Sequence, residues 1–237
     1  MTPHLGPVAF AVATLTVIST SRSQSFQFQA PQSRTPESLC TTSESVRGGM
    51  TAGDVTGDGL RDLVCSTGVT LLTMVQQPGG TFVAEGPVPS TGTRQPLLKD
   101  LDADGDLDLV VGPLSPQSPT PSATYLRGPL GWSRLTMPAE ANIQLQGLDV
   151  GDLDNDGDLD ILVASSTNVQ QALIVLRNQG GTFVADTTAF QQSLPVGIWP
   201  RLVDFDRDGD LDVVGSYRNG GLVWLRQQNG TFVNVTA

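Results

Sequence analysis

The chain has 237 residues and a formal net charge of −11, with 24 acidic residues against 13 basic ones. A chain this acidic has no basic stripe to replace the counterions of a phosphate backbone, so nucleic acid is excluded as a partner. The only histidine is His4, which leaves the rest of the chain without an imidazole for a Ser-His-Asp arrangement or a catalytic zinc site.

An apolar segment opens the chain, from Leu5 to Thr20, and small residues follow it around Ser21 and Ser23. Sixteen residues are short for a membrane span, which needs about 20. An apolar run before a small-x-small site is instead typical of a secretory signal peptide. We therefore expect residues 1–23 to be a signal peptide and the mature chain to be secreted or periplasmic, without a membrane span.

Residues 24–45 are a polar leader, rich in Ser, Thr and Gln, that is either flexible or an outer strand closing a ring. The leader contains Cys40, and the only other cysteine is Cys65. Since an oxidising compartment permits the two to pair, we predict a Cys40–Cys65 disulfide that pins the leader to the first repeat. The alternative is that Cys65 serves as a small buried residue.

Four nearly identical acidic nonapeptides follow, and their starts are 46, 52 and 52 residues apart, a period that indicates a repeat architecture. They contain 18 of the 24 acidic residues. Carboxylates about 4 Å apart repel by roughly 4 kcal/mol per pair at an effective dielectric constant near 20, so each loop is expected to hold a cation. The nonapeptides are DVTGDGLRD at 54–62, DLDADGDLD at 100–108, DLDNDGDLD at 152–160 and DFDRDGDLD at 204–212.

The arrangement of acids favours calcium. Acidic residues recur at positions 1, 3, 5 and 9 and Gly stands at position 6, and all-oxygen ligation by Asp suits calcium better than magnesium or zinc. Solvated Asp-rich turns are the alternative, which four copies in one register disfavour. An EF-hand is also disfavoured, because its loop closes with Glu at position 12. That position is held here by Cys65, Val111, Val163 and Gly215.

The same strand pattern surrounds every nonapeptide. A short strand precedes the loop, an apolar run and a second β-rich run follow it, and a Gly-containing turn such as GGTFVA at Gly79 and Gly180 leads into a last strand. A four-stranded unit of about 50 residues is the size of one propeller blade. The preceding strands are predicted at 46–52, 95–99, 146–151 and 198–203.

We therefore predict an all-β fold, a β-propeller of four four-stranded blades over residues 46–237, with units starting near 46, 95, 146 and 198. A small closed ring is favoured. Two alternatives are a homodimer that shares one eight-bladed ring and a shortened relative of longer proteins.

The Asp loops and the GGTFV turns together resemble the FG-GAP or VCBS repeats of integrin alpha-chain propellers and of many exported bacterial proteins. The resemblance covers nearly everything from about Val46 onwards. In that family the side chains at positions 1, 3, 5 and 9 and the main-chain carbonyl at position 7 bind calcium. Carried over, the ligands are Asp100, Asp102, Asp104, Asp106 (carbonyl) and Asp108; Asp152, Asp154, Asp156, Asp158 (carbonyl) and Asp160; and Asp204, Asp206, Asp208, Asp210 (carbonyl) and Asp212.

The first loop departs from this pattern. Its five positions are Asp54, Thr56, Asp58, Leu60 and Asp62, with a neutral hydroxyl at position 3 and an apolar residue at position 7. We expect calcium to bind there weakly or not at all, and hence three to four ions per chain.

The resemblance implies a non-catalytic extracellular module for binding, cell adhesion or scaffolding, with a protein or a glycan as its ligand. The alternative is an extracellular carbohydrate-active enzyme, because some related propellers resemble polysaccharide lyases. No spacing among the acids outside the loops singles out a catalytic pair. Candidate ligand contacts are aromatic and arginine side chains: Trp132, Trp199, Arg201, Tyr217 and Arg218.

Overall fold

The computed structural model describes ten stretches of the chain. The predicted signal peptide, the leader with Cys40, and Arg218 lie outside them. The described residues are 49–66, 70–88, 93–113, 123–141, 145–165, 173–190, 194, 197–217, 220–228 and 230–236.

Within these stretches the strands form four antiparallel sheets, each an up-and-down meander of four consecutive strands. The first sheet contains β1 (Met50–Gly53), β2 (Asp62–Ser66), β3 (Leu71–Gln76) and β4 (Phe82–Val88). The second contains β5 (Thr93–Lys99), β6 (Asp108–Pro113), β7 (Ala123–Gly128) and β8 (Gly131–Leu135). The third contains β9 (Leu145–Gly151), β10 (Asp160–Ser165), β11 (Leu173–Asn178) and β12 (Phe183–Asp186). The fourth contains β13 (Ile198–Val203), β14 (Asp212–Tyr217), β15 (Leu222–Gln228) and β16 (Thr231–Asn234). This confirms the predicted all-β fold of four four-stranded blades.

The position of a strand in its sheet determines its pattern of burial. In the third sheet the two central strands, β10 and β11, are buried at every residue because both faces of the sheet are covered. The outermost strand β12 is buried only at Phe183, and its neighbour Val184 is exposed. Each acidic nonapeptide lies between the first two strands of its sheet, so all four loops have the same place in their blades.

Successive sheets pack face against face. We call the face directed at the preceding sheet the rear face and the face directed at the next sheet the front face. In the third sheet, Ile161, Val163 and Phe183 lie on the rear face in a buried cluster with Val110 of the second sheet. Equivalent clusters lie between the first and second sheets and between the third and fourth sheets.

Glycine allows the inner strands of neighbouring sheets to approach closely. A Cβ on Gly53 of β1 would lie 2.5 Å from Leu107 Cδ1 of the next loop, and a Cβ on Gly151 of β9 would lie 2.7 Å from Leu211 Cδ1. A larger residue at either position would therefore separate the sheets.

The predicted closure of the ring is wrong for the described residues. The buried clusters join the first sheet to the second, the second to the third and the third to the fourth, and none joins the fourth sheet to the first. On the front face of the fourth sheet, Leu222 is 70 % exposed and Trp199 39 %. The number of repeats determines how many sheets form, but it carries no information on the angle between successive sheets, which decides closure.

Candidate metal-binding loops

Two hydrogen bonds shape every acidic loop from within. The N–H of the position 6 glycine donates to Oδ2 of the position 1 aspartate, at 2.7, 3.1, 3.0 and 3.2 Å in the four loops. The N–H at position 7 donates to Oδ1 of the position 5 aspartate, at 2.8, 2.8, 2.9 and 3.1 Å. The side chains at positions 1 and 5 are thereby turned towards the centre of the loop.

Position 4 of each loop has a left-handed backbone. The first loop has Gly57 there (φ 74°), whereas the others have Ala103 (φ 58°), Asn155 (φ 60°) and Arg207 (φ 65°). Asn tolerates this conformation, but for Ala and Arg it is strained. The tight turn is therefore strained in the second and fourth loops, at Ala103 and Arg207.

The aspartate at position 9 fastens each loop to its blade. Its carboxylate is fully buried in all four copies, Asp62, Asp108, Asp160 and Asp212. In each copy Oδ1 accepts an N–H from the third strand of the blade. In the first three loops Oδ2 also accepts the N–H of position 2, at 3.0, 2.7 and 3.1 Å. A carboxylate oxygen has a second lone pair. On Oδ2 of Asp62 and of Asp160 a second donor uses it, Thr56 and Arg177 respectively, whereas for Asp108 the hydrogen bonds of the described residues leave it available to a metal ion.

Three of the four loops bring a group of carboxylates together. One carboxylate oxygen from each member of a group lies within 4.8 Å of the others, about the separation of two ligands on opposite sides of a calcium ion. Asp104, Asp160 and Asp212 are not in these groups. Calcium ligation by the predicted side chains and by the position 7 carbonyls stays a prediction. The groups are Asp100, Asp102 and Asp108; Asp152, Asp154 and Asp156; and Asp204, Asp206 and Asp208.

Each of these three groups contains a buried oxygen that accepts no hydrogen bond: Oδ1 of Asp100, of Asp152 and of Asp206. Leaving a buried carboxylate oxygen without a donor costs about 1–3 kcal/mol or more. Three oxygens of this kind, each within a group of acids, fit a hard cation with oxygen ligands.

The first loop satisfies its own carboxylates. Oδ1 of Asp54 accepts the N–H of Gly57 at 2.8 Å and that of Asp58 at 3.2 Å. The hydroxyl of Thr56 donates to Asp62 at 3.3 Å. Among the described residues the acids of this loop form no group comparable with the other three.

Arginine side chains enter the third and fourth loops. Nη1 of Arg177 lies 2.8 Å from Asp160 and 3.7 Å from Asp154. Arg226 occupies the equivalent place in β15, where its Nη2 lies 3.2 Å from Asp208 and its Nε lies against Asp206. In the first two blades this position is held by Val75 and Leu126, and among the described residues no arginine forms an ion pair with the five aspartates of the second loop.

The pKa values of the acids reflect these surroundings. Burial raises the pKa of Asp108 from 3.8 to about 6, against the lowering effect of the Arg127 and Leu101 N–H groups. Burial likewise raises the pKa of Asp102, where the neighbouring Asp104 adds to the effect. In the fourth loop the N–H of Asp210 and the Arg226 guanidinium hold the pKa of Asp208 below its usual value. The second loop is therefore the one in which the charged form of the carboxylates is least stabilised by its surroundings.

Sequence reasoning missed several residues that support the loops. Trp224 Nε1 donates to Asp212 at 3.0 Å, and Asn178 Nδ2 donates to the Leu101 carbonyl of the preceding loop at 2.8 Å. Asn155 Nδ2 donates to Asp210 at 2.7 Å, which joins the third loop to the fourth. Arg177 and Arg226 could have been found by aligning the four repeats, because both stand at the same position of the third strand in their blades.

The candidate ligand contacts are scattered. Trp132 lies between the first two blades, where its Nε1 donates to Thr73 at 3.2 Å and its ring stacks with Arg127. Tyr217 packs against the cluster between the third and fourth sheets. Trp199 and Arg201 are exposed on the fourth sheet.

Three of the described acids outside the loops have structural partners. Glu85 pairs with Arg127 at 2.7 Å, Asp149 accepts the Leu202 N–H at 2.9 Å from the next sheet, and Asp186 accepts the N–H groups of Thr188 and Ala189.

The family model of the FG-GAP-like repeat matches residues 54–111 and 152–215, just over half of the chain. The chain belongs to the FG-GAP-like repeat family. Each matched stretch contains two of the acidic loops, so all four loops lie within the matched residues. A comparison with curated protein sequences gives no match.

Among the solved structures with a similar fold is a lectin of Agrocybe aegerita, described by its specific recognition of non-reducing terminal N-acetylglucosamine. The two chains are 18 % identical, with a TM-score of 0.53 over 80 % of this chain and 52 % of the lectin. The chain thus spans about half the length of that lectin, and the likeness shows the fold alone. FG-GAP repeats are typical of extracellular proteins, and no described helix is long and apolar enough to cross a membrane.

Proposed function

We propose that this FG-GAP-like protein is an exported, non-catalytic binding module whose blades are braced by calcium. The observation that carries the proposal is the set of three acid groups, each with a buried carboxylate oxygen that lacks a donor. In this proposal calcium supplies the positive charge that these oxygens lack, and Asp100, Asp152 and Asp206 are among its ligands.

The role of calcium in this proposal is structural. Every acidic loop connects the first two strands of its blade, and its position 9 aspartate is bonded to the third strand. An ion bound to the loop therefore holds three strands together and cancels repulsion between carboxylates that lie close to one another.

Binding rather than catalysis is supported by the side chains available. The described acids outside the loops mostly serve hydrogen bonds and ion pairs, and the one histidine lies in the predicted signal peptide. The lectin fold makes glycans the first class of ligand to test, with extracellular proteins as the second.

The proposal is tested on the chain that begins at Gln24. Calcium content is measured by mass spectrometry, and binding to a glycan array that includes terminal N-acetylglucosamine is compared in calcium and in EGTA. We expect about three calcium ions per chain and binding that is lost with them. A chain that binds no calcium would overturn the bracing, and calcium-loaded protein that binds neither glycans nor extracellular proteins would overturn the binding role.

A further inference from the structure

The rear face of the first sheet is built like a blade interface. Its apolar side chains lie at the positions that face the preceding sheet in the other blades: Met74 corresponds to Tyr125, Leu176 and Leu225, which are buried between blades. Phe82 corresponds to Phe183 and Phe232, the aromatic residues of the Gly-containing turns. The first sheet therefore presents a face that is suited to packing against another element.

This face is buried, although no described sheet precedes it. Cys65 is 1 % exposed, Met74 4 % and Phe82 6 %. The cluster that they form contains only residues of the first sheet. Side chains on one face of a sheet cannot bury one another to this extent, because they stand side by side and point away from the strands. The described residues therefore do not account for the burial of this face.

The front face of the fourth sheet, which no described sheet covers, differs in its exposure to solvent. Phe205 is 55 % exposed, whereas Val55, Leu101 and Leu153, at the same loop position, are buried. Burial of the rear face of the first sheet is thus not a property of terminal blades in general.

We propose that the leader, residues 24–45, packs against the rear face of the first sheet and takes the place of a preceding blade. The chain enters the sheet at β1, where Met50 pairs with Cys65, so the point of entry lies beside the buried cluster. The other segments of this sheet outside the described residues, 67–69 and 89–92, are too short to cover it. Twenty-two residues can extend over roughly 70 Å, several times the width of about 15 Å of a four-stranded sheet.

The composition of the leader fits this role. Phe26 and Phe28 alternate with Gln27, which places both rings on one side of an extended segment. The predicted partner of Cys65, Cys40, lies in the same segment, and a disulfide between them would tether the leader to the cluster that it covers.

Methionine oxidation tests the proposal, because Met74 lies within the cluster and Met50 is 57 % exposed at the start of the same sheet. The chain from Gln24 and a shortened chain from Val46 are treated with hydrogen peroxide, and sulfoxide formation is followed by peptide mass spectrometry. In the longer chain we expect Met74 to react at least about tenfold more slowly than Met50. In the shortened chain Met74 should react nearly as fast as Met50, and the added 24–45 peptide with Cys40→Ser should restore its protection.

Met137, which packs between the second and third sheets, is the control for global unfolding, because its rate should not change. If the shortened chain does not fold, a protease site placed between Ser45 and Val46 is cut after folding, and the leader is removed under reducing conditions before the peroxide treatment. Protection of Met74 in a folded chain without the leader would overturn the proposal, as would rapid oxidation of Met74 in the longer chain.

Discussion

The first and second acidic loops share the hydrogen bonds of the turn, but they differ in how many of their carboxylate oxygens have a hydrogen-bond donor. The first has three aspartates and satisfies Asp54 with its own N–H groups. The second has five aspartates, a buried oxygen on Asp100 without a donor, and Asp108 with a pKa raised to about 6. The hydrogen bonds of the turn are common to both loops, so they can form the loop without additional acids, whereas the additional acids of the second loop bring negative charge that a cation could offset.

Exchanging position 3 between the two loops should have the largest effect. Asp102→Thr gives the second loop the Thr of the first and should remove one calcium ion, with a loss of about 2–3 kcal/mol in the free energy of unfolding at saturating calcium. Urea denaturation in calcium and in EGTA measures this loss, which should vanish in EGTA.

The reciprocal variant Thr56→Asp adds a fourth carboxylate to the first loop. It should add bound calcium and should destabilise the chelated protein, because the new charge has no partner. Equal calcium content in both variants and the parent protein would contradict the assignment of position 3.

Without calcium, the protonation of Asp108 should make the stability of the second loop depend on pH. Its folded pKa of about 6 lies above the unfolded value of 3.8, so its contribution to stability is fully present below about pH 4 and is lost as the pH rises through 6. Calcium-stripped protein should therefore lose roughly 2–3 kcal/mol more between pH 4 and pH 7 than the Asp108→Asn variant. Urea denaturation at several pH values checks this, and identical slopes for the two proteins would refute it.

The third and fourth loops differ from the first two, because an arginine side chain already lies against their aspartates. Arg226→Leu gives the fourth loop the residue that the second blade has at this position, and it should raise calcium affinity there severalfold by removing a competing cation worth about 1 kcal/mol. Leu126→Arg should lower the affinity of the second loop by a similar factor. Calorimetric calcium titration measures both, and affinities unchanged in both variants would show that the guanidinium does not compete.

The smallest effect concerns the strained turn. Ala103→Gly gives the second loop the residue that the first has at position 4, and it should raise the free energy of unfolding by about 0.5–1 kcal/mol, since the left-handed backbone costs glycine little. Thermal unfolding checks this, with Gly57→Ala in the first loop as the reverse substitution.

Local features of the fold were predictable because they repeat. The strand pattern and the turns around Gly79 and Gly180 recur in register, which was enough to predict four-stranded blades. Closure was not predictable, since it depends on the angle between sheets and on side chains such as Phe205 and Leu222 at the last face.

The candidate site was predictable only in part. The acids at positions 1 and 3 follow from the motif, and the structure brings them together in three loops. The contacts of Arg177 and Arg226 depend on which strand lies beside each loop, which a nonapeptide does not encode. The predicted Cys40–Cys65 disulfide and the calcium ligation by the side chains and carbonyls of the acidic loops remain predictions.

Calorimetric unfolding of the chain from Gln24, in millimolar calcium and again in excess EGTA, tests the central claim most directly when metal content is measured on the same sample. We predict about three calcium ions per chain and a melting temperature that falls by several degrees on chelation. An unchanged melting temperature in a chain without bound metal would contradict the account and leave the acidic loops as turns only.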